Sequence, residues 1–229
     1  MGLANGVHHL AIGTRDIKAQ IEFFTQVVGM ELAALYWMHG VPQTVHAFLR
    51  LNDTCSLAFV QMPVMREIEP QLGVSHAGSP AGPIAPGAMQ HVALNVDSEA
   101  ALLALRDRIR SHGHWVMGPI DHGMCKSMYL AGPEGIVLEF ASSAAPIDAD
   151  EWLDPEVVAL CGIDETELAR YRSPAWFADR AGAVPQPDPA TRPGLHLPPQ
   201  MEALRSMTDA EIAALLDFPT PPVPRRAAG

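Results

Sequence analysis

Two stretches of this chain repeat one pattern of apolar and polar positions. Residues 7–12 (VHHLAI) line up with residues 89–94 (MQHVAL), and both read as short strands with alternating faces. Each leads into an amphipathic helix. In the first copy Asp16 is a natural N-cap, Ile17, Ile21, Phe24 and Val28 recur at helical spacing, and Gly29 ends the helix. In the second copy Ser98 caps a helix with Leu102, Leu105 and Ile109 on one face, ending at Gly113. Three strand-like runs follow each helix, at 31–38, 44–51 and 56–62, then at 114–119, 126–131 and 136–141. The pattern predicts an α+β fold of two βαβββ modules, residues 6–62 and 89–143, joined by a Gly- and Pro-rich linker at 63–88. The spacing from His9 to Ala58 is 49 residues and from His91 to Glu139 is 48, which makes an accidental repeat implausible.

Beyond the repeat the composition shifts. Eight of the 21 prolines precede residue 144 and 13 follow it, so residues 144–229 read as a C-terminal extension. Short helices are expected there at 155–160 and 164–172, and Thr208-Asp209-Ala210-Glu211 is a capping box opening a helix through Leu216. The run at 185–199 is too rich in proline for helix or sheet. The apolar residues Trp152, Leu153, Trp176, Phe177, Leu215 and Phe218 are expected to be buried, on the modules or on a second subunit of a homodimer.

Charge and cysteine content narrow the function. A formal charge of −11 argues against nucleic acid and anionic membrane as partners. Cys55, Cys125 and Cys161 form no CxxC pair and fit a reducing cytoplasm, and neither a signal peptide nor a membrane-spanning run is evident.

Strand alternation selects candidate chemistry. Leu10 and Ile12 should pack on the helices, which sends His9 to the other face; Ile136, Leu138 and Phe140 do the same for Glu139. By the repeat His91 sits as His9 does, whereas His8 faces the helices or solvent. Two imidazoles and one carboxylate are the ligand set of a facial triad with open positions, so His9, His91 and Glu139 are the candidate metal ligands if both sheets close into one cup. His46 and His76 are further histidines within possible reach, and Tyr36, Trp37 and Met38 are candidate pocket residues.

Paired modules with His9, His91 and Glu139 in these places resemble the vicinal-oxygen-chelate superfamily of glyoxalase I, fosfomycin- and bleomycin-resistance proteins and type I extradiol ring-cleaving dioxygenases. The resemblance covers residues 6–143 and implies a U-shaped cup holding a divalent metal. Ala58 stands where glyoxalase I has an acid, which leaves three ligands. Asp121-His122, Met128-Tyr129, Pro133-Glu134-Gly135 and Glu139 are similar to the extradiol signature, with Gly132 as a departure. In that family the residues matching His122 and Tyr129 hydrogen-bond the substrate's oxygens and are the candidate catalytic residues here. Where those enzymes carry a proton-transferring histidine, this chain has Cys55. The resemblance implies an Fe(II)-dependent dioxygenase, with Mn(II) or another divalent ion as the alternative metal, that acts on a catechol-like aromatic and O2. The other expectations on this scaffold are a metal-dependent lyase, isomerase or transferase, and a non-catalytic small-molecule binding protein.

Overall fold

The computed structural model describes residues 4–175, 182–188 and 194–223. Residues up to Gly162 form one compact unit and those from Ile163 a second. The first unit contains two βαβββ modules, with β5 and β6 displaced by two to three residues from the strands expected at 89–94 and 114–119. Strands β1 (His9–Gly13), β2 (Glu31–Trp37), β3 (Val45–Arg50) and β4 (Ser56–Gln61) form one sheet in the order β1-β4-β3-β2. Strands β5 (Val92–Asn95), β6 (Met117–Asp121), β7 (Lys126–Ala131) and β8 (Val137–Ser142) form the other in the order β5-β8-β7-β6. The first strand of each module pairs in parallel with its last and is the terminal strand of its sheet.

Local sequence sets the helices. Asp16 accepts from the Ala19 amide to cap α1 (Ile17–Glu22), which continues as a π-helical turn (Phe23–Val28) and ends at Gly29 with φ +96°. Ser98 caps α2 (Glu99–Ser111) in the same way through the Ala101 amide. Each helix packs on the two inner strands of its own sheet, α1 on β3 and β4 and α2 on β7 and β8. The helices also meet, so one core unites both modules, with Phe24, Phe59 and Leu57 from the first and Leu102, Met128 and Leu138 from the second. The helix-covered faces of the sheets therefore look toward each other, and Leu10 and Ile12 pack on this core as expected.

The first helix is also held at both ends by the second module. At its start the Glu134 carboxylate accepts from Thr14 Oγ1 (2.6 Å), the Arg15 amide (2.8 Å) and Gln20 Nε2 (2.9 Å). At its end Arg108 donates from Nε to the Val27 carbonyl (3.0 Å) and from Nη2 to the Gln26 carbonyl (2.7 Å). An anion at the N-terminus and a cation at the C-terminus both complement the helix dipole. A Cβ at Gly29 would lie 3.1 Å from the Arg108 guanidinium carbon, so the positive φ and the clamp both require glycine there. Glu134 is one of two non-glycine residues with positive φ among those described (+59°), a backbone cost that its three hydrogen bonds offset.

The extension carries the expected helices α4 (Pro155–Leu160), α5 (Glu165–Arg172) and α6 (Asp209–Leu216), the last two opened by full capping boxes at Asp164 and Thr208. A short α3 (Ala149–Trp152) and a 3-10 helix (Pro199–Ser206) had no clear apolar periodicity to announce them. Trp152, Leu153, Leu215 and Phe218 are exposed rather than buried in the single chain, and Trp176 and Phe177 lie outside the described residues. Among the described residues no helix is long and apolar enough to cross a membrane.

The clamp is testable by urea unfolding. Glu134→Ala removes three bonds to a charged acceptor and should lower stability by about 1.5–3 kcal/mol, whereas Glu134→Gln, which keeps one of the two acceptor oxygens, should lose less. Equal losses in both variants would show that the charge, rather than the hydrogen bonding, carries the effect.

Candidate functional site

Two candidate ligands are brought together and the third is not. His91, just before β5, and Glu139, in β8, approach to 2.9 Å between Nε2 and Oε2. Glu139 is buried, and it projects from the face opposite Leu138 and Phe140, which join the core. His9 lies in the other sheet on an exposed face, with its ring 5.4 Å from Phe48 and its Nδ1 2.9 Å from His8 Nδ1. Among the described residues no three His, Cys, Asp or Glu side chains are close enough to hold one metal ion. Both histidine-bearing faces turn away from the helices between the sheets, so one chain does not close the expected cup.

The residue before His91 fixes its chemistry. Gln90 Nε2 donates to the carbonyls of Ser79 (3.2 Å), Pro80 (3.0 Å) and Gly82 (3.1 Å) in the linker. An oxygen in that place would face three other oxygens, so the amide can sit only one way. Gln90 Oε1 then accepts from His91 Nδ1, which must carry a hydrogen. In a neutral imidazole this leaves a lone pair on Nε2, aimed at the Glu139 carboxylate. Two facing lone pairs at 2.9 Å repel unless a cation lies between or beside them, either a proton or a metal ion. Sequence reasoning missed Gln90; the only signal was its place before a repeated histidine, where the first module has His8 beside His9.

A second pair stands on the same sheet. Tyr129 is opposite Glu139 in the β7–β8 register, its ring is 6.4 Å from that of His91, and its hydroxyl is 3.0 Å from His122 Nε2. Burial pushes the Tyr129 phenol pKa up, and the nearby Glu139 carboxylate adds to this. His122 is exposed, at the end of β6 in a turn closed by its amide on the Cys125 carbonyl.

The first module keeps the same lattice without the polar groups. Ala58 pairs with Ala11 as Glu139 pairs with Ala93, and Phe48 stands opposite Ala58 as Tyr129 does opposite Glu139. Tyr36 stacks on Phe48, and His46 is buried against both, its pKa lowered by burial and then by His9. His46 Nε2 has no hydrogen-bond partner among the described residues. Trp37 is exposed, and Met38 and Cys55 are half-buried. His76 sits with Thr14 and Glu134 around the clamp.

Residues 6–140 match the Glyoxalase/Bleomycin resistance protein/Dioxygenase superfamily. The chain belongs to this superfamily. None of the curated proteins matches it. Among solved structures it is similar to a glyoxylase/bleomycin resistance protein/dioxygenase domain from a Frankia species, at 14% identity, covering 61% of this chain and 98% of that one, with TM-score 0.47. It is also similar to the antibiotic binding protein TnmS3 from a Streptomyces species, at 18% identity, with 63% and 100% coverage and TM-score 0.44. A third is the fosfomycin resistance protein FosX from Listeria monocytogenes, solved with Mn(II) and 1S,2S-dihydroxypropylphosphonic acid, at 12% identity, with 66% and 100% coverage and TM-score 0.43.

Superfamily members include enzymes that hold divalent metals, and the donors here fit such an ion. His91 Nε2 and Glu139 Oε2, 2.9 Å apart, are near enough to hold one divalent ion between them. One imidazole and one carboxylate are borderline donors suited to Fe, Mn, Zn or Ni.

The raised Tyr129 pKa gives a direct prediction. In metal-free protein titrated with base and followed at 295 nm, one phenol should stay protonated past the ordinary value of ~10. That late step should vanish in Tyr129→Phe. Its persistence there would assign it to another tyrosine.

Proposed function

We propose that this protein is a metal-dependent, extradiol-type dioxygenase that opens a catechol-like aromatic ring, with His9, His91 and Glu139 as ligands and His122 and Tyr129 as catalytic residues. The observation that carries the reading is the His122–Tyr129 hydrogen bond standing one strand from Glu139 and beside His91. When bound, an iron(II) ion supplies open positions for two vicinal oxygens and O2, together with the one-electron chemistry that ring cleavage requires.

The chain's own groups handle the protons. A phenol that accepts from His122 Nε2–H can turn its own hydroxyl proton from Glu139 to a substrate oxygen, and its raised pKa keeps that proton in place until it is needed. His122 is exposed and can replace the proton from solvent. Glu139 and His91 offer one negative charge to a dication, which leaves a positive site that favours a catecholate. The aromatic wall of Tyr36 and Phe48 on the first module suits the flat carbon ring of such a ligand.

His9 completes this centre from a second copy of the chain. Both first strands are terminal in their sheets, and such edges are stable when covered. In a twofold dimer that sets β1 of one copy beside β5 of the other, the repeat places His9 next to the His91–Glu139 pair, twice. The three free cysteines suit a reducing cytoplasm for this dimer.

His9→Ala, His91→Ala and Glu139→Ala should each lose most of the iron bound after anaerobic purification, while His8→Ala keeps it. Gln90→Leu should weaken metal binding about 10–100-fold, the usual worth of a residue that orients a ligand. Iron-loaded protein should consume O2 with a catechol, and His122→Phe should keep its iron but turn over 10²–10⁴-fold more slowly, on the order of a positioned acid–base group. A tightly held non-redox metal with no O2 uptake would instead indicate a lyase, isomerase or transferase, and the absence of both metal and turnover a binding protein.

A further inference from the structure

The segment that follows the last strand returns to the candidate site. Asp148 caps α3 through the Asp150 amide, and this single turn presents Trp152. The indole lies on Gly123, the residue after His122: a Cβ built there would stand 3.0 Å from Trp152 Cζ2 and 3.1 Å from Cη2. Gly123 has φ +83°, and its amide donates to Asp121 Oδ1 at 2.8 Å. The 121–125 turn is thus tied from inside by Asp121 and by the His122–Cys125 backbone bond, and covered from outside by one aromatic ring. His122 is exposed, and its side chain pairs with the Tyr129 hydroxyl, so the orientation of its ring depends on where this turn is held.

We propose that Trp152 is a positioning residue for His122, holding the 121–125 turn so that Nε2 stays on the Tyr129 hydroxyl. This rests on the reading of His122 and Tyr129 as catalytic, and it gives the start of the extension a role in turnover. Trp152 is 42% exposed, which is more than a core residue and little for a ring that serves no contact. Gly123 is required twice over, since any side chain there meets both a left-handed backbone and the indole.

The test uses the full chain in three variants, Trp152→Ala, Trp152→Phe and Gly123→Ala, with two independent readings. The first needs no turnover: histidine-ring NMR of the metal-free protein, with His122 and Tyr129 assigned by His122→Phe and Tyr129→Phe. In Trp152→Ala and Gly123→Ala the His122 ring signals and the Tyr129 ring carbon bearing oxygen should both move toward values of the unpaired groups, while Trp152→Phe stays near wild type. The second is turnover of a catechol by iron-loaded protein. Trp152→Ala should lower kcat about 10- to 100-fold with little change in KM, on the order of the loss from misplacing a reacting group by an ångström. Trp152→Phe should restore most of it, and in a His122→Phe background Trp152→Ala should add no further loss. His122 and Tyr129 signals unchanged in Trp152→Ala would overturn the proposal, as would an equal loss of kcat in the His122→Phe background. If the wild type turns over no catechol, the proposed reaction fails, and the NMR reading still decides what Trp152 does.

Discussion

Everything in the first unit follows from the way the second module grips the first helix. A carboxylate at the start of α1 and a guanidinium at its end come from one partner module, and each meets the helix terminus whose partial charge it complements. Together with the shared apolar core, this fixes the two sheets with their helix-covered faces inward. The faces that carry chemistry must then look outward, and the first strand of each module is left at a sheet edge. One chain therefore carries His9 and the His91–Glu139 pair on different surfaces. In the proposed dimer a second copy would unite them and leave the clamp intact.

The half of the site that one chain does assemble is electrostatically incomplete in a specific way. Three linker carbonyls orient Gln90, Gln90 sets the His91 tautomer, and the tautomer aims a lone pair at a buried carboxylate. Such a chain of constraints holds an imidazole ready for a cation. A linker that looks like a spacer in sequence is thus part of the ligand's support. Next to it, the Tyr129–His122 pair keeps a phenolic proton in a place where burial and a carboxylate both discourage its loss. The two modules have diverged within one strand lattice: the second has Glu139 and Tyr129 where the first has Ala58 and Phe48, one face for charge and the other for a ring.

The module pattern was legible because period-2 and period-3.6 signals recur in the same order twice. Asp16, Ser98, Gly29 and the capping box at Thr208 marked element ends through local hydrogen bonding, which depends little on the rest of the fold. Alternation also placed His9 and Glu139 on the faces away from the core. What it could not give was the relation between the sheets, because that depends on Glu134 and Arg108, long-range partners with no spacing rule. For the same reason a cup within one chain was expected where the structure separates His9 from His91. Gln90 and Trp152 were invisible as site residues: a glutamine held by backbone carbonyls, and a tryptophan lying on a glycine, leave no pattern in a single sequence.

Mixed dimers separate a site shared between two copies from one held within a single chain. His9→Ala lacks one ligand and the double variant His91→Ala/Glu139→Ala lacks the other two, so neither should bind metal alone. Unfolded together and refolded, they form heterodimers in which the double variant contributes His9 and its partner contributes His91 and Glu139. The account predicts that isolated heterodimers hold one tightly bound metal ion each, half the content of the wild-type dimer. Heterodimers without metal, from variants that remain folded and dimeric, would contradict it.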